Sequence, residues 1–247
     1  MLVIVGPAFA AGLMIALTHA PLGLAVLRRG IIFIDLAIAQ IAGLGALAAG
    51  IWWDQPEWWM VQGAALSGAF SAALFFRVIE RFWPDQQEAI IGCGFVLAAS
   101  LAILLVAGHP NGGEEIQHLL SGQLLFVTWT QVALHAPIYG VILALWFLAP
   151  QTRTGVWFYL LFSTAITSSV QLTGVFVVFA SLIAPALGAV PFAGKQRELR
   201  AAYAVSFTGL LLGFGAAIVT DLPLGPVLVC SFMVSALLIG AVITAVR

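Results

Sequence analysis

Charge is what this sequence has least of. Only 8% of its 247 residues are Asp, Glu, Lys or Arg, against about 25% in an ordinary soluble domain. Nine basic and ten acidic side chains are too few to coat a water-soluble fold of this length. That excludes a cytosolic enzyme and a disordered chain, and it leaves no basic surface for nucleic acid. Cysteine is nearly absent as well. Cys93 and Cys230 both lie in apolar stretches and are expected as small core residues, not as a disulfide framework. There is no P-loop, no GxGxxG, no zinc-finger spacing and no loop long enough to hold a catalytic fold. Such a chain does not hydrolyse a nucleotide by itself and is expected to bind no cofactor. Any energy it uses comes from an ion gradient or from a separate subunit.

What is present is apolar. Hydrophobic residues make up 62% of the chain and the mean hydropathy is +1.11. The apolar residues run continuously instead of alternating with polar ones, so a transmembrane barrel is excluded in favour of helices. A spanning helix needs about 20 mostly apolar residues. The short polar breaks then give nine spans, at 3–26, 31–52, 58–76, 89–107, 126–148, 156–173, 174–193, 201–220 and 226–246. The apolar run 156–193 is too long for one crossing and is divided at Gly174. The expectation is an all-α, polytopic transmembrane bundle of about nine spans. Residues 1–247 form one lipid-embedded domain.

The basic residues set the orientation. Arg28 and Arg29 follow the first span, Arg77 and Arg81 the third, Arg153 the fifth, Lys195, Arg197 and Arg200 the seventh, and Arg247 the ninth. All nine therefore fall on one side, which the positive-inside rule makes cytoplasmic. The N-terminus is expected outside and the C-terminus inside. The opposite side holds Asp54, Glu57, Glu114, Glu115 and Asp221 with His109 and His118, and no Lys or Arg. This asymmetry follows from positive-inside sorting, or it marks an outer mouth that attracts cations or docks a partner.

Ionisable and amide side chains at membrane depth are candidates for function. They are Asp35 and Gln40 in the second span, His19 in the first beside Pro21, and His135 in the fifth beside Pro137. Asp35 and Gln40 are five positions apart, which offsets them by about 140° around a helix. Asp35 either lines a path, snorkels to the interface, or pairs with Arg28 or Arg29. Each histidine is either a hydrogen-bonded packing residue or a ligand, and Gln40 is either a path residue or inter-helix glue. Gly43, Gly45 and Gly50 in the second span and Gly209, Gly213 and Gly215 in the eighth allow close helix approach.

Four segments, met in order, resemble the membrane permease of zinc/manganese/iron-type ABC importers. RRGIIFIDLAIAQIAGLG (Arg28 to Gly45) looks like that family's RRGLAFLGDALAHALLPG. QEAIIGCGFVLAASLAILL (Gln87 to Leu105) looks like its small-residue span. HLLSGQLLFVT (His118 to Thr128) is similar to its LFG-containing outer segment. SSVQLTGVFVVFASLIAPALGA (Ser168 to Ala189) is similar to its SVQVVGVLLVSALLILPAATA. DLPLGP (Asp221 to Pro226) matches its D-x-P-x-G turn.

The resemblance implies a cobalamin-importer-like permease fold and a homodimer around a central path. It also implies two cytoplasmic ABC ATPases, an extracytoplasmic metal-binding protein, and a place in the cell membrane of a prokaryote. The cargo it implies is a divalent metal ion. Asp35 and Gln40 would line the path and hold the metal transiently, with His19 and His135 along it. Glu114, Glu115, His118 and Asp221 would shape the outer mouth. Thr152, Arg153 and Gly155 would lie where the ATPase couples.

Two segments depart from the family pattern. Gln40 stands where the family has a histidine, and Asp35 is one residue away from the family's aspartate. APQTRTG (Ala149 to Gly155) stands where the family carries a longer, acidic coupling helix. Other readings are a permease for metal chelates or cobalamin, and a stand-alone secondary transporter or membrane scaffold.

Overall fold

The computed structural model describes residues 2–53, 56–109, 112–122, 124–192 and 194–244. Among them the secondary structure is helical throughout. The helices are α1 (Leu2–Arg29), α2 (Ile34–Trp52), α3 (Trp58–Phe82), α4 (Gln87–Val106) and α5 (Gly112–Ser121). They continue with α6 (Trp129–Leu148), α7 (Gly155–Thr173), α8 (Val175–Ala189), α9 (Lys195–Thr220) and α10 (Leu224–Thr244). The nine expected spans map in order onto α1 to α4 and α6 to α10. Eight of these helices are long and apolar enough to cross a membrane, and α8, with 15 residues, is shorter. Sequence reading did not anticipate α5, which forms in the connection between α4 and α6.

Local chemistry explains the boundaries. Pro84 has no N–H to continue a ladder, so α3 stops at Phe82 and a single 3-10 turn (Pro84–Gln86) leads into α4. The helix α6 starts at Trp129 and not at 126, because Thr128 and Gln131 form a capping box that satisfies two free N–H groups. The break at Gly174 is confirmed. Its φ of +78° lies where only glycine is at ease, and a side chain there would come within 2.3 Å of the Gly122 backbone nitrogen. A side chain on Gly122, also at positive φ, would meet the Thr173 carbonyl at 2.2 Å. The end of α5 is thus pressed backbone to backbone against the α7–α8 turn.

Packing follows from small residues. α2 lies against α3 and α4, while α8 lies against α1, α9 and α10, and α7 joins the two groups. One core cluster gathers Ile38, Phe76, Phe158, Phe162 and Ile166, and a second gathers Ile15, Leu172, Leu210, Leu228 and Phe232. Of the six glycines expected at close approaches, four are at them: Gly43 meets Leu119, Gly45 the Ala64 backbone, Gly209 Phe232 and Gly213 Leu228. Gly50 and Gly215 face open space. Large apolar side chains such as Leu97, Leu104, Val219 and Leu237 are exposed on α4, α9 and α10, as a bundle in hydrocarbon requires. Cys93 and Cys230, expected in the core, are instead exposed on α4 and α10, and both are free thiols. A sulfhydryl is apolar enough to face lipid as easily as core.

One end of the bundle gathers arginines. Arg28 pairs with Glu198, Arg77 pairs with Glu80, and Arg29 reaches Glu80 at 3.5 Å. Arg29 also donates to the Arg153 carbonyl at 2.7 Å and stacks over the Phe158 ring. Helices α1, α3, α7 and α9 are therefore tied at a common basic end. Arg247 lies outside the described residues.

Candidate functional site

Two kinds of buried polar group sit inside this bundle. The first kind is hydrogen-bonded to other side chains. His19 on α1 reaches Ser181 on α8 at 2.8 Å through Nδ1 and Ser169 on α7 at 3.0 Å through Nε2. Tyr139 on α6 joins the same Ser169 hydroxyl at 2.9 Å, and His135 bonds Ser168 at 2.7 Å. Ser169 and Ser181 are also placed to donate to their own helix carbonyls, Ala165 and Val178. A neutral imidazole donates from one nitrogen and accepts at the other. One serine therefore turns its proton to the ring. The arrangement pins four helices together through neutral partners. Sequence reasoning named both histidines but not Ser168, Ser169, Ser181 or Tyr139. The three serines fall within the Ser168 to Ala189 segment already singled out.

The second kind is unsatisfied. Asp35 is fully buried in the first turn of α2, where the backbone N–H groups of Asp35 and Leu36 lie near its carboxylate and no side chain donates to either oxygen. It does not pair with Arg28 or Arg29, which are engaged with Glu198, Glu80 and the Arg153 carbonyl. Its charged neighbour is another acid, Glu88 on α4. Glu88 accepts from the Phe33 N–H at 3.1 Å through one oxygen and leaves the other buried and unpaired.

Further along α2, Gln40 is 2% exposed and its Nε2 donor has no partner. On α7, Thr167 and Gln171, one turn apart, leave a hydroxyl and a whole amide unsatisfied. An orphaned buried polar group costs about 1–3 kcal/mol. Such groups on α2 and α7 are open to a partner from outside the chain, as are the Ser206 and Ser235 hydroxyls on α9 and α10.

Space lies beside Thr167 and Gln171, while Asp35 and Gln40 line neither of the two cavities there. A cavity of about 300 Å³ is walled by Ala42, Gly43 and Ala46 of α2, Ala65 of α3, Leu119 of α5, and Thr167 and Gln171 of α7. A second, of about 320 Å³, runs from Gln171 and Val170 to Gly122, Val127 and Gln131. Asp35 and Gln40 are offset around α2 as expected and are not brought into one constellation. Among the described residues there is no cluster of three or more His, Cys, Asp or Glu able to hold a metal ion.

The remaining expected residues divide between the two ends. Glu114 is exposed on α5. Glu115 and His118 belong to the same helix, but their side chains fall outside the described residues. Asp221 is exposed and caps α9 in a left-handed conformation, φ 57°.

At the basic end, residues Pro150–Arg153 form a 3-10 turn. Thr152 is buried and donates to the Ala149 carbonyl at 2.7 Å, and Arg153 donates to the Trp146 carbonyl at 2.7 Å. These two side chains fix the turn's shape, Gly155 supplies a positive φ of 59°, and Gln151 and Thr154 are left exposed.

The profile of the ABC 3 transport family matches residues 1–154 and 148–244 of this chain. Among solved structures, PsaBC from Streptococcus pneumoniae in complex with Fab matches with a TM-score of 0.75 at 18% identity, over 96% of this chain and 90% of that one. An inward-facing conformation of a metal-chelate type ABC transporter matches with a TM-score of 0.67 at 16% identity, over 99% of this chain and 87% of that one. No curated protein sequence matches. At such identities the structural likeness is one of fold.

Proposed function

This chain belongs to the ABC 3 transport family and is the membrane-spanning permease of an ABC importer, not an enzyme; from that premise we propose that its cargo is a divalent metal ion of the zinc or manganese class. Permeases of this kind pair with separate ATPase subunits and with binding proteins, and ATP hydrolysis belongs to the partner. The observation that carries the metal reading is Asp35, a carboxylate fully buried with no side-chain donor and no counter-cation among the described residues. A charge in a span is costly unless something pairs with it. A passing cation is the partner that this site lacks.

The rest of the reading rests on the same logic. The permease works as a homodimer in the cell membrane of a prokaryote, surrounded by lipid. Its basic end faces the cytoplasm, as the segregation of Lys and Arg favours. There the ATPase docks on the turn shaped by Thr152, Arg153 and Gly155, through exposed Gln151 and Thr154. At the acidic end Glu114, Glu115, His118 and Asp221 receive the metal-binding protein. Asp35 and Gln40 line the path and hold the ion briefly.

The test is Asp35→Asn in the assembled transporter. Uptake of radioactive manganese or zinc is expected to fall at least tenfold while the variant still inserts and dimerises. Unchanged uptake would remove Asp35 from the path.

A further inference from the structure

The two cavities share one wall. Val170 and Gln171 line both, so the Gln171 side chain stands between a space reaching the end of α5 and the start of α6 and a space inside the α2–α3–α7 angle. The amide is half-buried as a residue, yet its oxygen and nitrogen are both shielded and both without partners. One turn back on the same face, the Thr167 hydroxyl is 1% exposed and equally unpartnered, and it lines the inner cavity. An amide that served as glue between helices would show a partner on the facing helix. The facing wall here is Ala42, Gly43, Ala46 and Leu47, which offers none.

From this geometry, and resting on the metal-importer reading above, we propose that Thr167 and Gln171 form a station where a divalent cation pauses with its water shell intact, between the two cavities. The size and the chemistry agree. A cavity of about 300 Å³ exceeds the volume of six waters, at about 30 Å³ each, around a small ion. A neutral hydroxyl and a neutral amide are poor replacements for a transition-metal ion's inner ligands. They are good partners for the polarised waters around it, because the hydroxyl and the amide oxygen accept from coordinated water. The small side chains of α2 leave the room that the shell needs. Dehydration is then deferred until the ion meets the carboxylate of Asp35 nearer the basic end.

The experiment uses the complete transporter in vesicles, with Cys93→Ser and Cys230→Ser to remove the two exposed thiols. Gln171→Cys is exposed to a charged, membrane-impermeant thiol reagent, with Leu97→Cys at the exposed middle of α4 as the apolar-face control. The cysteine at 171 is expected to react from water, the one at 97 to stay unreacted, and Mn²⁺ to slow the reaction at 171 at least fivefold. No reaction at 171 overturns the station and leaves the metal cargo standing. Reaction that Mn²⁺ does not slow means a water-filled space that holds no cation, and also overturns it.

In parallel, Gln171→Leu and Thr167→Val are each expected to lower manganese uptake at least fivefold at equal dimer content, and Gln171→Glu to lower the half-saturating manganese concentration while slowing turnover. Parental uptake in both apolar variants overturns the proposal. Loss of uptake by Asp35→Asn with parental uptake in these two keeps the cargo and discards only the station.

Discussion

His19 and Asp35 are both ionisable and both fully buried, but their surroundings differ in kind. His19 has a serine at each ring nitrogen, so its bonding capacity is used up inside the protein. His19→Leu is therefore expected to cost about 1–2 kcal/mol of stability through lost hydrogen bonds. It should lower the thermal midpoint in detergent while uptake per folded transporter is kept. A stable His19→Leu protein with no uptake would move this residue from scaffold to path. Gln40 gives the complementary case, because its donor has no partner. Gln40→His places a metal-binding imidazole at that depth and is expected to retain divalent ions longer and slow their release, as read by equilibrium dialysis and by uptake rate. Gln40→Leu is expected to impair uptake. Two Gln40 variants that transport like the parent would take the middle of α2 out of the path.

At the scale of elements, the junction of α5 with the α7–α8 turn is the tightest backbone approach away from the helix interiors. Gly174 needs a positive φ, and any Cβ there meets the Gly122 backbone. Gly174→Ala combines dihedral strain of about 1–3 kcal/mol with a backbone clash. The expected result is a clear loss of folded dimer on size-exclusion chromatography. Gly215→Ala, at a glycine facing open space on α9, should leave the elution profile unchanged. Equal behaviour of the two variants would mean that α5 does not seat against the turn. The short turn at Pro150–Arg153 belongs to this scale too. Its shape is held by buried Thr152 and by Arg153, so a Thr152→Val variant is expected to reduce ATPase capture more than it reduces insertion.

At the scale of the whole molecule, the gathered basic residues make a topological claim. Reporter fusions after Arg153 and after Lys195 are both expected to read cytoplasmic, on the nine-span reading in which α7 and α8, which lie between them, each cross once. An extracytoplasmic reading after Lys195 would leave the pair α7–α8 as a single crossing. The chain alone should show no ATPase activity, and from its native membrane it should carry an ATPase subunit and run as a dimer. A stable monomer that accumulates metal on an ion gradient would contradict the importer assignment.

Much of this was written in the chain order itself. Hydrophobic run length is a local property, so nine of the ten α-helices among the described residues and the break at Gly174 could be read directly. Membership of the family could also be read, because ordered segments such as Arg28 to Gly45 and Ser168 to Ala189 survive as sequence. The helix α5 was not legible: its ten residues are too few and too polar to register as a span, and it is held by contacts with Gly43 and Gly174 far away in sequence. Nor could a list of polar residues separate His19 from Gln171. Whether a buried polar atom is satisfied depends on what a different helix presents to it, and that pairing is set by the three-dimensional packing of α1, α2, α7 and α8. The sequence determined what had to be in the membrane; only the tertiary structure decided which of its polar groups were already spoken for and which were left facing a cavity.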